Sequence, residues 1–245
     1  MYFCPMSKPF RFKQFSVDQD LAAMKIGTDA VLLGAWTEIT TQVDKILDIG
    51  AGTGIIALMM AQRSEAFTID AVELDEKAYL QTVSNFENSP WSDRLYGYHA
   101  SFEDFAEEFH EEEETYDLIV SNPPYYESDY QTEDVSRNRA RFESELTFDN
   151  LLKGVALLLD KKGIFSTIIP RESTENFIAL ANQYQLHMNR ICEVRGNAQS
   201  KVKRSLLSFS FESKPIEKTS LTIEHNRHEY TEEYITLTQD FYLKM

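Results

Sequence analysis

At 245 residues and 42% hydrophobic content, the chain can bury one large α/β core with a small extension, and it is too short for several independent domains. Its 24 basic and 40 acidic residues leave a formal net charge of −16, which repels phosphates at long range and argues against a nucleic-acid partner held by bulk charge. No run of eighteen apolar residues marks a membrane span, the first residues lack a signal-peptide pattern, and Cys4 and Cys192 are too few and too distant for a disulfide framework or zinc site. A cytoplasmic protein with reduced thiols and no metal is expected.

Residues 10–17 alternate like a strand or hairpin, and 18–25 read as a turn of helix. After Gly27, Thr28 can cap a helix from Asp29 through Trp36. Residues 1–44 are too few for a domain. They read as an extension packed on the core formed by 45–245, either a lid with Lys25, Gly27 and Thr28 near a ligand, or a helix that simply closes the sheet.

An apolar strand at 45–49 then runs into Gly50, Gly52 and Gly54, and residues 55–63 have helical composition. Three of only nine glycines within five residues mark a turn where a ligand lies against bare backbone at a helix N-terminus. A dinucleotide fingerprint needs Gly or Ala where Ile55 stands, and a Walker loop needs Lys-Ser/Thr after the glycines, so both are disfavoured. The form Asp48-x-Gly50-x-Gly52-x-Gly54 instead resembles motif I of the S-adenosylmethionine-dependent methyltransferases. A second strand, 67–72, ends in Glu73-Leu74-Asp75, where doubly wound sheets place an acidic residue against a ribose. Glu73 is assigned to the ribose hydroxyls; Asp75 is the alternative, or a cap for a helix starting near Glu76. Residues 95–99 read as a third strand, and the resemblance places the cofactor's adenine on Ser101 and Phe102. Many members of that class carry Asp at the position of Ser101, whose hydroxyl can still hydrogen-bond the adenine amino group. Residues 103–117 hold nine acidic side chains and no Lys or Arg, a pattern of solvated helix end and loop.

The apolar run 117–120 leads into Asn122-Pro123-Pro124-Tyr125, and this motif implies chemistry on a planar NH2 group. The lone pair of such a nitrogen is delocalised. If Asn122 Oδ1 and the Pro123 carbonyl each accept one N–H, the nitrogen becomes pyramidal and its lone pair points at an electrophile. The prolines fix φ near −65° and supply no competing donor, while Tyr125 offers a face for stacking. Two basic clusters follow: Arg137, Arg139 and Arg141, then Lys201, Lys203 and Arg204 with Arg195, in a stretch without acidic residues. Ordinary surface and a phosphate-contacting face are both open for them. Residues 171–184 read as a helix, and 186–194 and 205–211 as strands finishing the sheet, the latter its antiparallel edge. His225 and His228 share a helix-like spacing and read as solvated surface; 221–245 suggest a hairpin-like strand and a closing helix. The fold expected is doubly wound α/β, Rossmann-like, with a seven-stranded mostly parallel sheet.

Phe15-Ser16-Val17-Asp18-Gln19-Asp20, the segment from Met24-Lys25-Ile26-Gly27-Thr28-Asp29 through Trp36, the glycine loop, Ser121-Asn122-Pro123-Pro124-Tyr125-Tyr126 and Lys203-Arg204-Ser205-Leu206-Leu207 occur in that order. Together they resemble the bacterial valine-tRNA adenine-N6 methyltransferases over almost the whole chain. The resemblance implies methyl transfer from S-adenosylmethionine to the adenosine immediately 3′ of the anticodon, with Asn122, Pro123 and Tyr125 catalytic. It further implies Asp48, Gly50, Gly52, Gly54, Glu73, Ser101, Phe102 and Asn122 around the cofactor, and no protein partner is evident. A release-factor glutamine methyltransferase would use the same motif but usually carries a larger helical N-terminal domain. A ribosomal-RNA guanine-N2 enzyme often has Phe in place of Tyr125 and a duplicated fold.

Overall fold

The computed structural model describes residues 8–124 and 146–245. Cys4, Tyr125, Tyr126, Arg137, Arg139 and Arg141 lie outside the described residues. An antiparallel hairpin, β1 (Phe10–Arg11) and β2 (Ser16–Val17), precedes α1 (Thr28–Trp36). Strands and helices then alternate through β3 (Lys45–Ile49), α2 (Ile55–Arg63), β4 (Thr68–Glu73), α3 (Glu76–Glu87), β5 (Leu95–His99), α4 (Phe102–Glu111) and β6 (Tyr116–Ser121). After α5 (Phe148–Leu158) come β7 (Leu159–Pro170), α6 (Thr174–Gln183), β8 (His187–Arg195), β9 (Arg204–Ser210) and β10 (Glu217–Thr222). A small hairpin, β11 (Glu224–Asn226) and β12 (Glu229–Tyr230), leads to α7 (Glu232–Thr238). None of the described helices is long and apolar enough to cross a membrane.

The main sheet runs β10-β8-β9-β7-β6-β3-β4-β5. Strands β5, β4, β3, β6 and β7 pair in parallel, and helices cover both faces, so the central strands are apolar on both sides. The class is the one expected, but the described residues give the sheet eight strands rather than seven, and the antiparallel strand is internal. β9 is antiparallel to both β7 and β8, and β10 joins β8 in parallel at the edge. Leu206, Leu207 and Phe209 are fully buried, as an internal strand requires. β10 escapes a reading by pattern because four of its six residues are exposed and it joins the sheet through its backbone.

Two local expectations are corrected. Residues 18–25 form no helix; their backbone is held by side chains from α3, described below. Gly27, not Thr28, is the N-cap of α1, with no side-chain cap bond. His225 and His228 are exposed, as expected, in the β11–β12 hairpin, where His228 sits in the turn at φ 69°.

The hairpin at the start of the chain packs on its end. Phe12 bridges Tyr242, Lys13 N–H donates to the Phe241 carbonyl at 2.8 Å, and the Phe12 ring stacks on Phe15. Where α2 meets α3, Gly54 has φ +76°, and a Cβ there would lie 2.6 Å from Phe86 Cε1 and 3.1 Å from Thr82 Cγ2. Left-handed backbone strain alone costs a side chain about 1–2 kcal/mol, before Phe86 is displaced. Gly54→Ala is expected to lower unfolding free energy by about 2–4 kcal/mol, seen as a reduced urea midpoint at unchanged m.

Candidate active site

In the parallel register Ile49 lies opposite Val72 on one side and Ser121 on the other, and Glu73 lies opposite His99. The residues that come next, Gly50, Ala100 and Asn122, therefore leave the sheet beside Glu73 at one carboxyl edge, where doubly wound folds bind ligands. Ser121 Oγ donates to the Ile49 carbonyl at 3.0 Å and locks the end of β6 to β3. Gly50 and Ala51 N–H both donate to the Val72 carbonyl, at 2.9 and 3.2 Å. The Glu73 carboxylate completes the frame, accepting Gly52 N–H through Oε2 and Asp75 N–H through Oε1, each at 2.8 Å. The glycine loop and the turn after β4 are thus one hydrogen-bonded unit.

Above it opens a cleft of about 980 Å³ lined by Gly50, Gly52, Glu73, Ser101, Phe102 and Asn122, with Pro124 and Leu146 at its side. At Gly52, φ is +61° and an added Cβ would meet no described atom within 4 Å, so the bare backbone faces the cleft. Ser101 caps α4: its Oγ accepts Asp104 N–H at 3.1 Å and donates to Asp104 Oδ2 at 2.7 Å. Asp75 caps α3 through Ala78 N–H at 2.9 Å while also lining the cleft. The opposite wall is Ala22, Ala23 and Met24 from the N-terminal segment.

A family profile described as "Methyltransferase small domain" matches residues 23–141. Relatives match nearly the full chain. The tRNA1(Val) (adenine(37)-N6)-methyltransferase of Flavobacterium psychrophilum is 54% identical over 96% of this chain and 100% of its own length. Proteins of the same name from Christiangramia forsetii and Bacteroides fragilis (strain YCH46) are 52% and 43% identical, each over 98% of this chain and over 99% and 100% of their own. The chain belongs to this family. Among solved structures, a "predicted O-methyltransferase" from Agrobacterium tumefaciens shares the fold with a TM-score of 0.68 over 87% of this chain and 96% of its own, at 17% identity. A ribosomal protein L11 methylase from Lactobacillus delbrueckii does so with a TM-score of 0.55 over 79% and 83%, at 14% identity. As a member of this methyltransferase family the chain is S-adenosylmethionine-dependent.

Several of the predicted site residues of this methyltransferase stand outside the cleft lining. Asp48, Gly54 and Pro123 are buried and do not line it. Asp48 is fully buried; its Oδ2 accepts Ala57 N–H at 3.0 Å in the first turn of α2, and Oδ1 has no partner among the described residues. It holds the helix behind the loop. Lys25 donates to the Gln19 carbonyl, while its neighbours Ala23 and Met24 line the cleft. Lys201 and Lys203 are exposed at the carboxyl edge of the sheet but separated from the cleft, and Arg204 Nε donates to Asp29 Oδ2 at 2.7 Å. The N-terminal segment was expected near a ligand as one of two readings, through Lys25, Gly27 and Thr28; that Ala22, Ala23 and Met24 line the cleft, and that α3 side chains hold them, escaped sequence reading. Their signal was Gln81, Thr82 and Asn85, polar residues on a helix stripe that should be apolar.

Burial raises the Asp48 pKa from 3.8 to about 7, assisted by the negative charge of Glu73 and opposed by the Ala57 hydrogen bond. Burial likewise raises Asp70 to about 6, against the bond from Tyr116. In the unfolded chain both lose their protons near pH 4, so from there to pH 6–7 the native state binds more protons and stability falls as pH rises. Each group contributes a slope of up to about 1.4 kcal/mol per pH unit within its window. Asp48→Asn is expected to flatten the decline between pH 4 and 7 in urea-unfolding curves; an unaltered slope would show that Asp48 is not its source.

Proposed function

We propose that the protein transfers a methyl group from S-adenosylmethionine to N6 of the adenosine immediately 3′ of the anticodon in valine tRNA. The observation that carries this reading is the side-by-side exit of the glycine loop, Glu73 and Asn122 from adjacent parallel strands into one cleft. The residues fit the cofactor: Gly52 presents backbone without a Cβ, and each Glu73 oxygen accepts one N–H among the described residues, which leaves lone-pair capacity for a ribose hydroxyl. Ile49, Val72 and Phe102 add apolar surface for a flat ring, beside the Ser101 hydroxyl. When bound, S-adenosylmethionine supplies an electrophilic methyl group on a sulfonium centre.

Asn122 Oδ1 and the Pro123 carbonyl are the acceptors assigned to the two N6 hydrogens, which frees the nitrogen lone pair for attack. Pro123 is buried and Asn122 half-buried behind the Ser121–Ile49 anchor, so these acceptors stand on the rigid edge of the sheet. No strong base is needed, because the methylated nitrogen is acidic before it loses its proton to water or to these acceptors. Tyr125 is assigned as the stacking platform for the splayed base, and an anticodon loop surrenders a base more readily than a duplex. Lys201 and Lys203, with Lys25, Arg137, Arg139 and Arg141, are the candidate phosphate contacts. Arg204 is held by Asp29 and by the Lys203 carbonyl, so it stands behind the lysines as a candidate. A tRNA substrate places the enzyme in the cytoplasm.

The test is transfer of labelled methyl to unmodified total tRNA followed by nucleoside analysis. N6-methyladenosine in valine tRNA is expected, and Asn122→Ala is expected to reduce the rate by about 10²–10³-fold, the usual effect of losing a preorganised polar group. Label appearing in ribosomal RNA or a release factor instead would overturn the substrate.

A further inference from the structure

The face that α3 turns toward the cleft carries Gln81, Thr82 and Asn85, all at most 4% exposed. Buried polar groups need partners, and here the partners are the backbones of two different walls. Asn85 Nδ2 donates to the Thr53 carbonyl at 2.8 Å, and Thr82 Oγ1 donates to the Gly52 carbonyl at 3.0 Å, which fixes the glycine loop. Asn85 also brackets Asp18, accepting its N–H through Oδ1 at 2.8 Å and donating to its carbonyl at 2.9 Å. One turn earlier Gln81 Oε1 accepts Leu21 N–H at 3.0 Å.

Residues 18–26 contain no helix or strand. Gln19 Oε1 accepts Ile26 N–H at 3.0 Å and closes the segment on itself, while Asp18 and Leu21 tie it to α3. Ala22, Ala23 and Met24, which line the same cleft as Gly52 and Glu73, follow Leu21 directly. Leu21 and Met24 are themselves 49% and 68% exposed, so little apolar burial holds this stretch in place.

We propose that Gln81 and Asn85 are positioning residues for the methyl donor: they register the N-terminal wall against the glycine loop and so set cofactor affinity and residence time. Gln81 acts on the wall alone, whereas Asn85 acts on wall and loop together. The inference rests on the S-adenosylmethionine reading of the cleft.

The test is calorimetric binding of S-adenosylhomocysteine to the full chain, paired with methyl-transfer kinetics. Gln81→Ala is expected to weaken binding about tenfold and to raise the donor KM by a similar factor, with kcat at saturating donor held within about twofold. Asn85→Ala should be more severe in both binding and KM. Gln81→Glu retains the acceptor for Leu21 N–H and should restore most of the affinity. Leu21→Pro removes the same hydrogen bond from the other side at an exposed residue, leaving α3 intact, and should reproduce Gln81→Ala even where Asn85→Ala fails to fold. Asn88→Ala, which loses an exposed bond to the Ser84 carbonyl on the same helix, controls for helix destabilisation and should leave affinity unchanged. Native affinity in folded Gln81→Ala and Leu21→Pro would overturn the inference while leaving the cofactor assignment intact. Absence of binding by the unsubstituted protein would overturn both.

Discussion

The parallel register of β3 between β4 and β6 is the constraint on which the site depends. With Ile49 opposite both Val72 and Ser121, the glycine loop, the acidic turn and the Asn-Pro-Pro motif all emerge at one level of the sheet. Side chains alternate along a strand, so a slip of one residue would exchange the faces of Leu47, Asp48 and Ile49 and drive a carboxylate into the other layer. The edge bonds act together with this register. Val72 takes two loop N–H groups, Glu73 a third, and Ser121 reaches back to Ile49. The N–H donors of Gly50, Ala51 and Gly52, left by a turning strand, are satisfied within the frame.

Charge is distributed to suit this arrangement. The acidic stretch at α4 is more than solvated surface, since Asp117 accepts the Asp44 and Lys45 N–H groups, Lys45 pairs with Glu114, and Glu103 accepts from Asn150. Several carboxylates thus stitch the amino ends of β3 and β6 and the α4–α5 contact. The exposed lysines at 201 and 203 sit at the opposite, carboxyl end of the strands, toward which the cleft opens. The net charge of −16 is thus unevenly placed, with exposed lysines and the cleft's own carboxylates Glu73, Asp75 and Glu103 at the same end of the sheet.

Most of the architecture was legible because its signals are local. Apolar strands ending in glycines, an acidic residue after the second strand and Asn-Pro-Pro after the fourth each announce themselves within a few residues. What escaped depends on partners far along the chain. Residues 18–25 suggested a helical turn, and their backbone is instead engaged by Gln81 and Asn85, sixty or more positions away. β10 carries no alternation, since its pairing with β8 is made by backbone. Asp48 was expected at the cofactor from the glycine motif but is buried and bonded to α2, because sequence spacing does not distinguish a residue that lines a cleft from one that braces the helix behind it.

The packing of Phe12 and Lys13 against Phe241 and Tyr242 ties the cleft to a distant part of the chain. The hairpin that leads into the 18–24 wall is moored at its base by residues more than two hundred positions later. A substitution at Phe241 or Tyr242, far from the glycine loop in sequence, therefore acts on the mooring of the segment that lines the cleft.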